Sequence, residues 1–222
     1  MCEHACADIA RAFDGCQDGD VTQVRPYRGV EAADRRVQRR RRLIDAGLDL
    51  LGGERAPTEL TVRALCAHAG LAARYFYESF GDKDEFVGAV FDTVIAELAA
   101  TTQAAVSAAP RGAQHRAAVG NIVGIVAADP RIGRLVFSPQ LSNAAVSARR
   151  VQSRALLSGL YQRDVGSALG IGDDARMQAT ARFAVGGVEQ TISAWLEREL
   201  DLSPHELTDR LASMLDALLH HD

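Results

Sequence analysis

The run Thr61-Val62-Arg63-Ala64-Leu65-Cys66-Ala67-His68-Ala69-Gly70-Leu71-Ala72-Ala73-Arg74-Tyr75-Phe76-Tyr77-Glu78-Ser79-Phe80 has the grammar of two short helices meeting at a tight turn. Thr61 is an N-cap residue, whose hydroxyl can accept from a free backbone N–H one turn later. Val62, Leu65 and Ala69 fall on one side of the helix that follows. Two helices that cross closely need a small residue at the crossing, the place that Cys66 occupies. They also need a residue tolerant of positive φ at the turn, supplied by Gly70. Leu71, Phe76 and Phe80 can then lock the second helix, expected over 72–79, to the body of the domain.

Outward from this unit the helical pattern continues in both directions. Asp34 offers a cap for a helix running to about Leu51, with Val37, Ile44, Leu48 and Leu51 on its apolar face and Gly52-Gly53 as its stop. Its other face carries Arg35, Arg36, Arg39, Arg40, Arg41 and Arg42. Six arginines so close together repel one another, and a polyanion nearby is a more economical account than a solvated face. Downstream, Asp82 with Glu85 forms an acidic capping box for a helix from Lys83 to about Ser107. Its apolar stripe is Phe86, Val90, Phe91, Val94 and Leu98.

Charge is unevenly spread along the chain. The formal net charge is −4, yet residues 35–83 hold ten basic residues against six acidic ones, between two acidic flanks. A local anionic partner fits this better than a protein that coats nucleic acid generally. Lys83 is the only lysine. With 47% hydrophobic and only 5% aromatic residues, rich in alanine, the composition suits packed helices rather than sheets.

Further helices are expected near 113–128, 131–137, 143–169, 174–200 and 204–219. The last has the clearest start, with Ser203 as cap, Pro204 at the first position and Glu206 completing a capping box. No strand and no internal repeat is expected, so the fold class is all-α. No unbroken apolar run approaches the roughly 18 residues of a membrane span, and no leader pattern is visible, so a cytoplasmic protein that does not enter the membrane is expected. Residues 1–33 read as a disordered tail. Cys2, Cys6 and Cys16 lie there with His4, too tightly spaced for a usual zinc site, and neither a metal nor a cofactor is expected.

Residues 35–91 resemble the DNA-binding domain of TetR-family transcriptional regulators. The matching positions are Thr61-Val62-Arg63, Ala69-Gly70, Phe76-Tyr77, Phe80 and Lys83. The C-terminal half is similar in helix pattern and from Trp195 to Leu219. The resemblance implies a helix-turn-helix domain over 34–82, whose second helix enters the major groove, and a regulatory and dimerisation bundle over 83–222. It implies phosphate contacts from Thr61, Tyr77 and Lys83, to which the arginine face adds Arg39 and Arg42. Arg74 and Tyr75 fall where the family reads bases, and Arg74 can be bidentate to guanine. Ala72 departs from the family's hydroxyl residue, which removes one helix cap and phosphate contact.

The family character also implies a palindromic DNA operator as partner, a homodimer, and a repressor released by a small effector. Wide apolar stripes, with Gly186-Gly187 allowing close approach, place the dimer interface at Val188, Ile192, Trp195, Leu207, Leu211, Met214 and Leu218. Phe91, His115, Phe137, Tyr161 and Phe183 are candidates to line a pocket for a small apolar effector. The alternative is control without a small molecule, by a protein partner or by the cysteine-bearing tail. No GxSxG, P-loop or HExxH is present, and an enzyme is not expected. The glycines of 166–172 read as a helix stop.

Overall fold

The structure, a computed structural model, describes residues 26–54, 60–139, 141, 143–169 and 175–218. Cys2, His4, Cys6, Cys16 and the first 25 residues of the tail expected over 1–33 lie outside them, whereas residues 26–33 are helical. The described residues form nine helices and no strand: α1 (Pro26–Gly52), α2 (Val62–Ala69), α3 (Ala73–Tyr77), α4 (Lys83–Ala108), α5 (Gln114–Ala128), α6 (Pro130–Phe137), α7 (Ala144–Leu169), α8 (Ala175–Leu196) and α9 (Pro204–Leu218). The chain divides into two units at Val37. The first contributes the start of α1, where residues 32–37 are exposed, Val37 included. The second unit, residues 38–222, holds the rest of α1 and the other described helices.

The helix starts follow local rules. The Thr61 hydroxyl accepts from Ala64 N at 3.1 Å, and Asp82 accepts from Glu85 N at 2.8 Å while Glu85 reaches back to Gly81 N at 2.7 Å. Glu206 accepts from Ser203 N at 2.8 Å, and its own N–H returns to the Ser203 hydroxyl at 3.3 Å. Each reciprocal pair satisfies N–H groups that a helix start leaves without partners.

Two boundaries differ from expectation. α1 begins at Pro26 rather than Asp34, because a proline at the first helical position forfeits no hydrogen bond and presets φ. α8 ends at Leu196 rather than near 200. Arg198 there adopts φ 60°, and Glu199 N bonds back to Ala194 O at 2.9 Å, the left-handed turn that stops a helix.

Two apolar clusters hold the second unit together. The first gathers Leu43, Ile44 and Leu51 of α1, Leu65 and Cys66 of α2, Phe76 of α3 and Phe86, Val90, Phe91 and Val94 of α4, then continues into Leu135 and Val136 of α6 and Val146 of α7. α1 and α4 approach so closely at Gly47 that a Cβ there would stand 2.6 Å from Phe86 and Val90. The second cluster joins Val119, Val123 and Val126 of α5 to Ala184 and Ile192 of α8 and Leu207, Leu211 and Leu215 of α9. α4 is long and apolar enough, by length and composition, to cross a membrane, although its sequence contains no unbroken apolar run. Its residues Phe86, Val87, Val90, Phe91, Val94 and Leu98 are buried in the protein's own core.

Candidate nucleic-acid interface

Gly70 ends α2 with φ 62°, a conformation that residues with a Cβ rarely adopt. Its N–H bonds to Ala67 O, and Leu71 N bonds to Cys66 O at 2.9 Å, so the chain reverses within a few residues. Cys66 is buried at this crossing, where burial pushes its thiol pKa up and keeps it a neutral packing group. α3 follows with Ala72 at its N-cap and no side-chain cap bond, as an alanine there dictates.

Aromatic packing fixes one side of α3. Phe76 is wholly buried, with ring centroids 5.6 Å from Phe80 and 5.5 Å from Phe86, and Phe80 meets Phe86 edge-on at 5.0 Å. Such offset and edge contacts fix ring orientation as well as burying area. The other side presents Ala72, Ala73, Arg74, Tyr77 and Glu78 to solvent. Tyr77 is 63% exposed, and Thr61 and Lys83 are exposed at the starts of α2 and α4. Four expected DNA-contacting residues are thus exposed: Arg74 and Tyr77 on α3, Thr61 at the cap of α2 and Lys83 at the start of α4.

The arginine face of α1 does more internal work than its pattern announced. Arg42 donates to Ala69 O at 2.7 Å, capping the negative end of α2. Arg40 lies over the Phe80 ring at 4.9 Å. Arg39 lies over the Tyr75 ring at 4.4 Å, with Nη2 3.6 Å from Glu78. Arg39 and Arg42, expected on phosphates, therefore already have partners on α3 and at the end of α2. Charge-run reasoning could not foresee this, because each acceptor lies 27 or more residues away in sequence.

An ionic joint holds the end of α1. Asp49 accepts from His68 of α2 at 2.9 Å and pairs with Arg131 of α6, which also donates to Asp129 at 2.8 Å. Arg134 donates to Gly52 O at 2.5 Å, and Arg150 of α7 caps the end of α6 through Leu135 O at 2.6 Å. Burial alone would raise the Asp49 pKa, but the His68 and Arg131 hydrogen bonds outweigh it and hold the carboxyl below its ordinary value. His68 and Arg131 carried no sequence signal beyond being polar.

The expected pocket residues do not converge. His115 bonds through Nδ1 to Asp216 at 2.8 Å, and its Nε2 lies 3.3 Å from the Tyr161 hydroxyl, the two rings stacked at 5.7 Å. Burial, then the Asp216 charge, pushes the Tyr161 pKa up to about 12. Phe137 packs against both clusters. Phe91 is sealed in the first cluster, and Phe183 is 68% exposed on α8, so neither joins the His115–Tyr161 pair.

The expected interface residues divide likewise. Ile192, Leu207 and Leu211 are buried inside the chain itself, because the apolar stripes of α8 and α9 face each other and α5. Val188, Trp195 and Leu218 pack half-buried on that cluster, with Trp195 Nε1 donating to Leu202 O at 2.7 Å. Met214 alone of the set is exposed, at 53%.

The sequence profile of bacterial regulatory proteins of the tetR family matches residues 43–90, the segment that contains this helix-turn-helix. Residues 43–90 therefore carry a TetR-family DNA-binding segment. No curated protein matches its sequence. Among solved structures, the fatty acid degradation regulator FadR from Bacillus halodurans superposes with a TM-score of 0.68 at 15% identity, over 83% of this chain and 97% of that chain. A TetR-family regulator from Syntrophomonas wolfei reaches 0.69 at 14% identity, covering 83% and 96%. FadR from Bacillus subtilis, solved in complex with stearoyl-CoA, reaches 0.64 at 15% identity, covering 80% and 97%. At these identities the likeness is one of fold, a helical domain following the DNA-binding domain.

Proposed function

We propose that this regulator is a homodimeric, cytoplasmic repressor that grips a palindromic operator through residues 34–82 and is controlled through residues 83–222. The carrying observation is the division of α3 into a face locked by Phe76 and an exposed face bearing Arg74 and Tyr77, next to exposed Lys83. Thr61, Tyr77 and Lys83 take phosphates, which look alike at every sequence, and Arg74 meets a base edge. Lys83 stands at a helix start, where its charge adds to the free N–H groups.

The dimer forms through the outer face of α8, where Ala179, Phe183, Gly187 and Gln190 are exposed, together with Met214 of α9. Among the described residues, nothing beyond the adjoining backbone of α8 lies within 4 Å of a Cβ built on Gly186 or Gly187, which leaves room for the same face of a second copy. The effector is a small, largely apolar molecule bound beside the second cluster, with His115 and Tyr161 as polar anchors in apolar surroundings. The stearoyl-CoA complex of the Bacillus subtilis fold relative makes a fatty acyl group one such molecule to try.

Binding to DNA from the regulator's own upstream region, measured over several salt concentrations, tests this reading. Lys83→Ala should weaken operator and scrambled DNA alike and reduce the salt slope by about one. Arg74→Ala should lose discrimination between the two. If neither variant changes affinity, α3 is not the DNA-reading helix.

A further inference from the structure

Tyr75 carries more positive charge on its ring than a half-buried tyrosine requires. It sits in the middle of α3, next to the fully buried Phe76. Two guanidinium groups lie against its ring, Arg39 of α1 with Cζ 4.4 Å from the centroid and Arg74 of α3 itself at 4.7 Å. Arg74 also donates from Nη2 to the Tyr75 hydroxyl at 2.9 Å. Adjacent residues on a helix do not face each other, so Arg74 has to curl back to make this bond. The nearby counter-charge is Glu78, one turn on, with Oε2 3.6 Å from Arg39 Nη2. Glu78 closes the C-terminal end of α3, where a carboxylate opposes the helix dipole. Its position does nothing for the helix and is explained by the arginine it neutralises.

Building on the DNA-binding reading, we propose that Tyr75 is a positioning residue whose ring holds Arg39 and Arg74 ready for DNA, with Glu78 as the internal counterion that a phosphate displaces from Arg39. The ring face attracts both cations, and restraining two long side chains in advance removes rotamer freedom that binding would otherwise have to remove. Tyr75 then acts through its arginines and reads no base itself, unlike the role expected from its place beside Arg74. Glu78 screens Arg39 in the free protein and repels phosphate until it is displaced, which suppresses non-specific binding.

The test separates ring, hydroxyl and charge. Tyr75→Phe keeps the ring and should lower operator affinity about twofold, whereas Tyr75→Leu removes ring and hydroxyl and should lower it about tenfold. In an Arg39→Ala, Arg74→Ala background, Tyr75→Leu should cost almost nothing further. Glu78→Gln should tighten operator and scrambled DNA alike, most at low salt. Circular dichroism and melting of each variant verify that α3 remains folded. A readout without DNA is the ring-current shift of the Arg39 and Arg74 side-chain protons in NMR spectra, expected in wild type and Tyr75→Phe and lost in Tyr75→Leu. A folded Tyr75→Leu variant with wild-type affinity overturns the proposal, as does one whose loss persists undiminished without the two arginines. If wild type binds operator without the ring-current shifts, the proposal alone falls. If it shows the shifts yet binds no DNA, the DNA-binding reading falls and the proposal with it.

Discussion

The two apolar clusters of this protein are built differently, and what each turns to solvent differs with them. The first packs three phenylalanine rings, Phe76, Phe80 and Phe86, with centroids 5.0–5.6 Å apart, and lays the Arg40 guanidinium over Phe80. The second is assembled from valine, alanine, isoleucine and leucine, and the helices around it leave Phe183 and Met214 bare. Rings fix orientation, which a helix of five residues needs if its side chains are to meet base edges. Aliphatic packing fixes distance but leaves room for apolar groups outside, which suits a second protein surface. Ring packing is concentrated around α3, and uncovered hydrophobic side chains stand on α8 and α9.

Phe76→Ala strikes the first cluster at its centre. It should cost about 3–5 kcal/mol by chemical denaturation, with operator binding lost before dimerisation. A variant that still binds operator at wild-type strength would show that the rings do not orient α3. Phe183→Asp acts on the second region in the opposite sense. Because Phe183 is exposed within the chain, stability of the folded protomer should barely change, while light scattering should report monomers. Operator affinity should fall about a hundredfold, since one half-site must then be held alone.

The joint around Asp49 yields a smaller, pH-dependent effect. Asp49 and Asp129 are both held below the ordinary carboxylate value of 3.8: Asp129 mainly by the Arg131 hydrogen bond, Asp49 by hydrogen bonds from His68 and Arg131 that outweigh burial. A depressed folded pKa contributes stability above 3.8 that is lost as pH falls through the folded value. Asp49→Asn should therefore cost under about 1 kcal/mol near neutrality, given the partial exposure of the pair, and flatten the acid limb of the stability curve. Equal acid sensitivity in the variant and wild type would dismiss the joint as a contributor. The smallest effect is expected at Arg198, where glycine relieves the left-handed φ at some cost in unfolded-chain entropy. Arg198→Gly should raise stability by about 0.5 kcal/mol, read as a small upward shift in melting temperature.

How far the sequence could be read follows the range of the interactions involved. Thr61, Asp82 with Glu85, and Ser203 with Glu206 were legible as helix starts because each cap bond closes over three or four residues. Gly70 was legible because only its backbone conformation had to be known. The early start of α1 at Pro26 had a local sign in that proline, overshadowed by the glycines and acidic residues around it. The all-α class, the helix-turn-helix and its outward residues Arg74, Tyr77 and Lys83 were therefore written into short segments.

Tertiary structure alone decided which arginines of α1 bind protein, because Arg42 meets Ala69 and Arg39 meets Tyr75 only after the helices pack. It also decided which apolar residues of α8 and α9 lie inside. Ile192, Leu207 and Leu211 repeat at helical spacing just as an interface would, and Phe183 looks like any core phenylalanine. Hydrophobicity records that a side chain avoids water, but the surface that removes it from water is chosen by elements distant in the chain.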